Sequence, residues 1–340
     1  MFKIRLKLLI FILFLSFIPL NGCNIFKSKD ADIERISPLS PDSVLFDSQA
    51  IKTLTINMIN HAAKSVYLQQ FAMDDQDVLK ALVEKAHQGI DVKILLDPWQ
   101  RENENTLNYL KNENLSAQRY PSEKGQYDRV KYMVVDNQTA VYYGAPLTSA
   151  GFSTHTVAVQ LSGTSVSTIS NSFSKDWEST TTNKLSIDEN PSLIEDQITF
   201  SVNAGIKQTL LNRIKAAQST IWIEVDQLTD TEIKDALIAA QTRGCTVQII
   251  VNPSSAPGGS TSVNEMKNSG IAVRSYKNPA NLPLGFNWAI FDQKTVLMSS
   301  SGWTYSAFVM CHESSITIPS PDIAAKVSSV FQQDWEKATP

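Results

Sequence analysis

Two stretches of the chain, 155 residues apart, spell one structure. Residues 81–98 read ALVEKAHQGIDVKILLDP and residues 236–253 read ALIAAQTRGCTVQIIVNP. Each predicts an amphipathic helix, a glycine that ends it (Gly89, Gly244) and an apolar strand stopped by proline. Upstream, HAAKSVYLQQF (61–71) is matched by KAAQSTIWIEV (215–225), a helix end followed by a strand. Downstream, FSKDWE (173–178) is echoed by FQQDWE (331–336). Three matched stretches in one order describe a duplicated unit of about 150 residues, the size of a domain. Strands alternate with helices in each unit, which predicts an α/β class with a mainly parallel sheet covered by helices.

Three stretches fall outside the repeat. The first is the leader MFKIRLKLLIFILFLSFIPLNGC, with Lys3, Arg5 and Lys7 ahead of an apolar run and small residues before a cysteine. That is the layout of a cleaved export signal over 1–22, too short for a stable membrane span. Its ending, Leu20-Asn21-Gly22-Cys23, resembles a bacterial lipoprotein box, which implies a lipid-modified Cys23 and a cell-envelope, membrane-anchored protein. Residues 23–43 are polar and proline-punctuated, a tether. Residues 179–196, rich in Ser, Thr, Asn and acids, link the repeats at 44–178 and 197–336. After the second matched strand, PSSAPGGSTSV (253–263) reads as a flexible loop.

Without the leader, 27 basic residues face 34 acidic ones, a net charge near −7. General nucleic-acid binding, which needs many cations against phosphates, is not expected. Any phosphate contact must come from a local basic site. Cys245, at the head of the strand TVQIIV, reads as a small buried hydrophobe, and its pairing with Cys311 stays open.

Residues 129–148 read RVKYMVVDNQTAVYYGAPLT: a strand carrying cations, an aspartate at its end, a turn and a second strand. Residues 284–304, LGFNWAIFDQKTVLMSSSGWT, repeat that pattern. With the duplication and the paired Asp-Trp helices, the chain resembles the phospholipase D superfamily over roughly residues 44–336. The resemblance implies two tandem α/β units packed as a pseudo-twofold pair. Each half of such a protein carries His-x-Lys-x4-Asp-x6-Gly-Ser-x-Asn, and a Glu follows on the next strand. The two histidines attack phosphorus and protonate the leaving oxygen, while the Lys and Asn hold the phosphoryl oxygens. The spacing has a physical reason, because residues i and i+2 of a strand project to one face.

Here Lys131 and Asp136 stand at the Lys and Asp positions of the first half, but Arg129 stands where His should be. Tyr143-Gly144-Ala145-Pro146 replaces Gly-Ser-x-Asn, with Leu147 and Thr148 following. The second half keeps Asp292, whereas Gly285 replaces His, Asn287 replaces Lys and Ser299-Ser300-Ser301-Gly302 replaces Gly-Ser-x-Asn. The next-strand acid survives as Glu313, opposite Thr156 in the first half. Arginine keeps its proton at physiological pH and glycine has nothing to titrate, so neither serves as nucleophile or proton shuttle. None of His61, His87, His155 and His312 is followed by lysine two residues on. His155 and His312 hold near-equivalent repeat positions, but if Glu313 faces the site its neighbour His312 faces away. His155, Cys311, His312 and Glu313 lack metal-ligand spacing, so no metal or cofactor is expected, and no Gly-x-Ser-x-Gly elbow or Walker loop occurs.

The expectation is an exported, lipid-anchored, catalytically degenerate protein that binds phosphate or phospholipid or acts as a scaffold. Arg129, Lys131, Thr148, Asn287, Ser301 and Glu313 are its candidate ligand-binding residues, with Lys131, Asp136 and Asp292 as relics of the catalytic motif. A working phosphodiesterase with a non-standard site and a surface interaction scaffold are the alternatives. An open cleft lined by Arg129, Lys131 and Asn287 would favour ligand binding; Arg129 paired with Asp136 or Asp292 would mean a filled, abandoned site. The sequence sets no oligomeric state.

Overall fold

The computed structural model describes residues 35–252, 259–278 and 280–340. The leader, Cys23 and the tether up to Glu34 lie outside the described residues, as do residues 253–258 of the loop and Pro279.

The first half opens with β1 (Val44–Leu45), α1 (Ser48–His61), β2 (Ser65–Gln70), α2 (Gln76–His87) and β3 (Asp91–Leu96). It continues with α3 (Arg101–Asn112), β4 (Ser116–Arg119), β5 (Tyr132–Val135), β6 (Thr139–Tyr143), β7 (His155–Thr156), β8 (Ala158–Leu161) and α4 (Thr164–Thr181). The second half runs β9 (Thr199–Val202), α5 (Ala204–Ala216), β10 (Thr220–Val225), α6 (Thr231–Thr242), β11 (Thr246–Val251) and α7 (Gly259–Asn268). It closes with β12 (Ala272–Ser275), β13 (Leu284–Gly285), β14 (Asn287–Phe291), β15 (Thr295–Ser299), α8 (Tyr305–Val309), β16 (Ser314–Pro319) and α9 (Pro321–Lys337).

The matched landmarks build matched elements. Asp75 caps α2 by accepting the N–H groups of Asp77 and Val78, and Asp230 caps α6 by accepting that of Ile233. Both helices give way to a glycine in the left-handed region, Gly89 at φ +88° and Gly244 at φ +101°, where a Cβ would be strained. β3 and β11 then bury the same alternation of positions.

Two seven-stranded sheets result, ordered β1-β8-β6-β5-β2-β3-β4 and β12-β11-β10-β14-β15-β16-β9. The α/β tandem is as expected, but the expectation of mainly parallel sheets is corrected. Within these two sheets parallel pairing is confined to β2–β3–β4 and β10–β11–β12, and the remaining pairs are antiparallel. The cause is local. Asp136 and Asn137 (φ +56° and +50°), like Asp292 and Gln293 (φ +52° and +56°), turn the chain tightly back on itself. No helix fits into such a connection, so β5–β6 and β14–β15 are hairpins.

One apolar core lies on the outer side of each sheet, and a third is shared between the sheets. In the shared core Phe173 stacks on Tyr67 at 5.2 Å and Phe331 on Trp222 at 5.2 Å. Trp177 and Trp335 continue those stacks at 6.0 and 5.7 Å. The echoed Phe and Trp of FSKDWE and FQQDWE thus form one stack in each half, and both stacks belong to the shared core. α4 runs to Thr181, into the stretch read as linker, and Cys245 and Cys311 are both buried and free. Among the described residues no helix is long and apolar enough to cross a membrane.

Candidate functional site

The segments ahead of the motif strands bring the halves together. Asp128 bridges to His312, and β13 pairs in parallel with β7 through Leu284–His155 and Gly285–Thr156. Each segment therefore runs beside the post-motif strand of the opposite half. Between them opens a cleft of about 330 Å³ lined by Arg129, Lys131, Asn287 and Ser301, together with Phe71, Asp226, Ser300 and Phe286. Hollows of about 290 Å³ beside Asp136 and about 530 Å³ over α3 include none of the motif cations.

Lys131 is buried, 4% exposed, and its ammonium donates to the carbonyls of Arg129, at 3.0 Å, and Ser300. Burial pushes its pKa down to about 8; Glu313 pulls it up and Arg129 presses it lower still. Glu313 is equally buried. Its Oε2 accepts the Ser300 hydroxyl, while its Oε1 has no hydrogen-bond partner and lies 3.6 Å from Nη1 of Arg129. Burial raises the Glu313 pKa, and the Arg129 charge and the Ser300 and Ser301 hydroxyls offset part of that rise. At 3.6 Å the Arg129–Glu313 contact is an ion pair beyond hydrogen-bond length. The guanidinium, about a third exposed, lies over the Tyr127 ring at 5.1 Å.

The other site residues expected from the sequence lie elsewhere. Arg129 pairs with neither Asp136 nor Asp292, because these sit at the far ends of β5 and β14. Asp136 accepts the N–H groups of Ala63, Lys64 and Ser65. Asp292 accepts those of Gln218, Ser219 and Thr220, and the Ser219 hydroxyl. Burial alone would raise the pKa of Asp292, but these donors outweigh it and leave it lowered. Both aspartates are clamps that hold the loop into β2 or β10. Thr148 is corrected too: its Oγ1 accepts the Gly151 N–H at 2.8 Å within a turn, outside the cleft lining. Glu313 acts from behind the wall, through Ser300 and Arg129.

Gly285 has lost more than a side chain. A Cβ there would stand 2.3 Å from Oγ1 of Thr154 and 3.1 Å from the His155 carbonyl. A residue larger than glycine meets the opposite half at once.

The histidines form a different arrangement. His155 Nε2 lies 2.7 Å from Oδ2 of Asp334, and His312 Nε2 lies 2.9 Å from Oδ2 of Asp176. Each pair joins a histidine of one half to the Asp-Trp aspartate of the other. His312 also stacks on Tyr120 at 4.7 Å and faces Asn203. Neither histidine lines the cleft, so a substitute histidine pair has no geometry to work from. Among the described residues no three His, Cys, Asp or Glu side chains converge as a metal-holding group.

Asp226, Ser300 and Phe71 were missed as wall residues. Phe71 and Asp226 occupy equivalent places just after β2 and β10, so the 155-residue offset was a signal that could have found them.

The sequence model of the family described as "Cardiolipin synthase, PLD-like domain" matches residues 55–177 and 210–335. The chain belongs to this family. It is 27% identical over 126 residues to a mitochondrial cardiolipin hydrolase of Chlamydomonas reinhardtii, a match covering 37% of this chain and 56% of that protein. It is 28% identical over 137 residues to a phospholipase D of Rickettsia conorii, covering 40% of this chain and 65% of that protein. The chain thus spans less than two thirds of the length of these relatives. Among solved structures it resembles the phosphatidylserine synthase of Haemophilus influenzae Rd KW20, with TM-score 0.63, 15% identity and 88% of each chain covered. It also resembles the polyphosphate kinase of Porphyromonas gingivalis, with TM-score 0.62, 12% identity, and 85% of this chain and 45% of that one covered. At these identities the structural likeness speaks for the fold alone.

Proposed function

We propose that this phospholipase D-like protein binds a phosphate-bearing ligand, a phospholipid headgroup or another phosphodiester, without running the family's reaction. One observation carries the reading. The cleft between the halves keeps two cations, Arg129 and Lys131, opposite the Asn287 wall, while its two nucleophile positions hold a permanent cation and a glycine with no room for a side chain. A guanidinium fork and an ammonium suit phosphoryl oxygens, but neither Arg129 nor Gly285 can attack phosphorus. The names of the relatives, a cardiolipin hydrolase and a phospholipase D, support a phospholipid as ligand. Export and a lipid on Cys23 complete the proposal; mass spectrometry of the mature amino terminus tests it, and a free, unmodified residue there would sink it.

The cleft is tested by calorimetry with inorganic phosphate beside a hydrolysis assay with bis(p-nitrophenyl) phosphate. Saturable phosphate binding that is lost in Arg129→Ala/Lys131→Ala, with hydrolysis at background, is expected. A second reading, a phosphodiesterase with a non-standard site, is favoured by the Ser300 hydroxyl donating to Glu313 Oε2 beside Lys131. The Ser300 Oγ also accepts the Ser314 N–H at 3.0 Å, which suits a structural hydroxyl equally well. Hydrolysis that vanishes in Ser300→Ala would favour the second reading over the first.

A further inference from the structure

Behind each flank of the cleft lies a buried polar cluster, and the two clusters follow one plan. On the first flank the buried Asp128 bridges to His312 of the second half, whose Nε2 lies 2.9 Å from Oδ2 of Asp176. Gln69 donates to Oδ2 of Asp128 at 3.0 Å and accepts the Tyr132 hydroxyl at 2.9 Å. On the second flank His155 of the first half lies 2.7 Å from Oδ2 of Asp334. There Leu284 stands at the place of Asp128, Trp288 at that of Tyr132 and Glu224 at that of Gln69. Tyr120 stacks on His312, and its counterpart Tyr276 stacks on His155. The extra carboxyl has changed position between the halves, yet each cluster holds a histidine, a helix aspartate and one further buried acid. Glu224 is fully buried, and neither of its oxygens has a hydrogen-bond partner. Gln69 shows that an amide serves at the equivalent place, so packing alone does not call for an acid there.

Both clusters sit where a cleft segment is held to the opposite half. The Arg129 N–H donates to the His312 carbonyl at 2.9 Å, and the His312 N–H to the Tyr127 carbonyl at 2.8 Å. On the other flank the His155 N–H donates to the Pro283 carbonyl at 2.9 Å. From this geometry we propose that each flank carries a proton-operated latch, closed while its extra carboxyl is neutral and released when that carboxyl ionises beside the helix aspartate. Burial pushes Asp128 up to about 7 against the pull of His312 and Gln69, and the Asp176 charge adds to the rise. Burial also raises Glu224, with the Asp334 charge adding to it and Lys337 opposing. The other charged groups around the clusters are engaged. Glu313 pairs with Arg129, Asp97 accepts the Asp128 N–H, Lys337 lies 3.7 Å from Asp334, and Arg274 lies over the Trp335 ring. Ionisation therefore sets two carboxylates near one another where little water screens them. A carboxyl raised in the closed state favours closure at low pH, and that advantage is lost as pH rises from about 4 through the closed-state value. Such a latch works whatever the cleft binds.

The test is amide hydrogen exchange on the mature chain, resolved by residue and corrected for the intrinsic rate at each pH. Protection of the Arg129 and His312 amides on one flank, and of His155 on the other, is expected to fall about tenfold or more from about pH 6 to about pH 8. Asp128→Asn keeps an acceptor for Gln69 and should remove most of the fall at Arg129 and His312 alone. Glu224→Gln, which copies Gln69, should remove most of it at His155 alone. Protection that stays flat with pH in the wild-type chain would overturn the proposal, and that measurement needs no variant to fold. A fall that either variant abolishes on both flanks would overturn it too, because the effect would then belong to the whole fold. So would a fall that both variants leave untouched.

Discussion

The two halves of this molecule have lost the same histidine in opposite ways. In the first half the position is filled by Arg129, which reaches toward Glu313 of the second half and lies over Tyr127. In the second half it is closed by Gly285, whose backbone pairs with the first half so tightly that no side chain fits. What the halves still share is what the fold needs: the Asp136 and Asp292 clamps, the Phe–Trp stacks and the exchanged His–Asp pairs. What distinguishes them faces the cleft. The scaffold is twofold and its cleft is not.

The sharpest way to break this comparison is to restore each histidine separately. Gly285→His is expected to cost about 3 kcal/mol or more, because its Cβ would overlap Thr154. Arg129→His, at a partly exposed position whose ion pair spans 3.6 Å, is expected to cost about 1 kcal/mol. Urea unfolding of both variants measures the difference, and pairing Gly285→His with Thr154→Ala should recover part of the loss. Similar costs at the two positions would mean that the asymmetry is not real.

The clamps test the shared part. Asp136→Ala and Asp292→Ala each orphan three or more N–H groups and place alanine at positive φ. Each is expected to lose about 2 to 3 kcal/mol, and by nearly equal amounts. A gap of more than about 1 kcal/mol between them in denaturant unfolding would show that the halves are not equivalent as scaffolds.

Much of this architecture was legible because the repeat carries it. Helix, glycine and strand at 81–98 and again at 236–253 are local patterns, and the structure builds both alike. The parallel-sheet expectation failed because alternation of helix and strand does not show which turns are tight; Asp136–Asn137 and Asp292–Gln293 decide that. At the site, spacing identified Lys131 and Asn287 as wall residues, since side-chain direction on a strand follows from position. The real tasks of Asp136 and Asp292 could not be read, because their partners lie about 70 residues earlier in the chain. The His155–Asp334 and His312–Asp176 pairs span still longer separations and exist only because each Asp-Trp helix lies against the other half in the assembled fold.

A subtler pair of effects concerns protons. Burial alone would lower the His312 pKa, but the hydrogen bond to Asp176 and the charges of Asp128, Asp176 and Glu313 leave it raised. A raised histidine contributes stability that is fully present below the unfolded pKa near 6.5 and is lost as pH rises through the folded value. Nearby Asp128 is pushed up to about 7, first by burial and then by Asp176, against His312 and Gln69. A raised carboxyl contributes stability at low pH that is lost on rising from about 4 through 7. Stability should therefore fall across both windows. In His312→Gln the fall above pH 6.5 should shrink while the part below it persists, as thermal unfolding against pH would show. An unchanged slope above pH 6.5 would mean that the exchanged pair does not couple to folding.

The smallest expected effects lie in the cleft. Asn287→Ala should weaken phosphate binding about two- to threefold and Arg129→Ala about tenfold, consistent with one neutral and one charged contact. Equal losses in calorimetric titration would contradict that difference between the two contacts.

The central claim, binding without turnover, is tested most directly by giving the mature chain a phosphodiester and measuring bound ligand and released product in one sample. The account predicts saturable binding that is lost in Arg129→Ala/Lys131→Ala, with product no faster than the buffer blank. Sustained product release by the wild-type chain that disappears in His155→Ala or His312→Ala would contradict it.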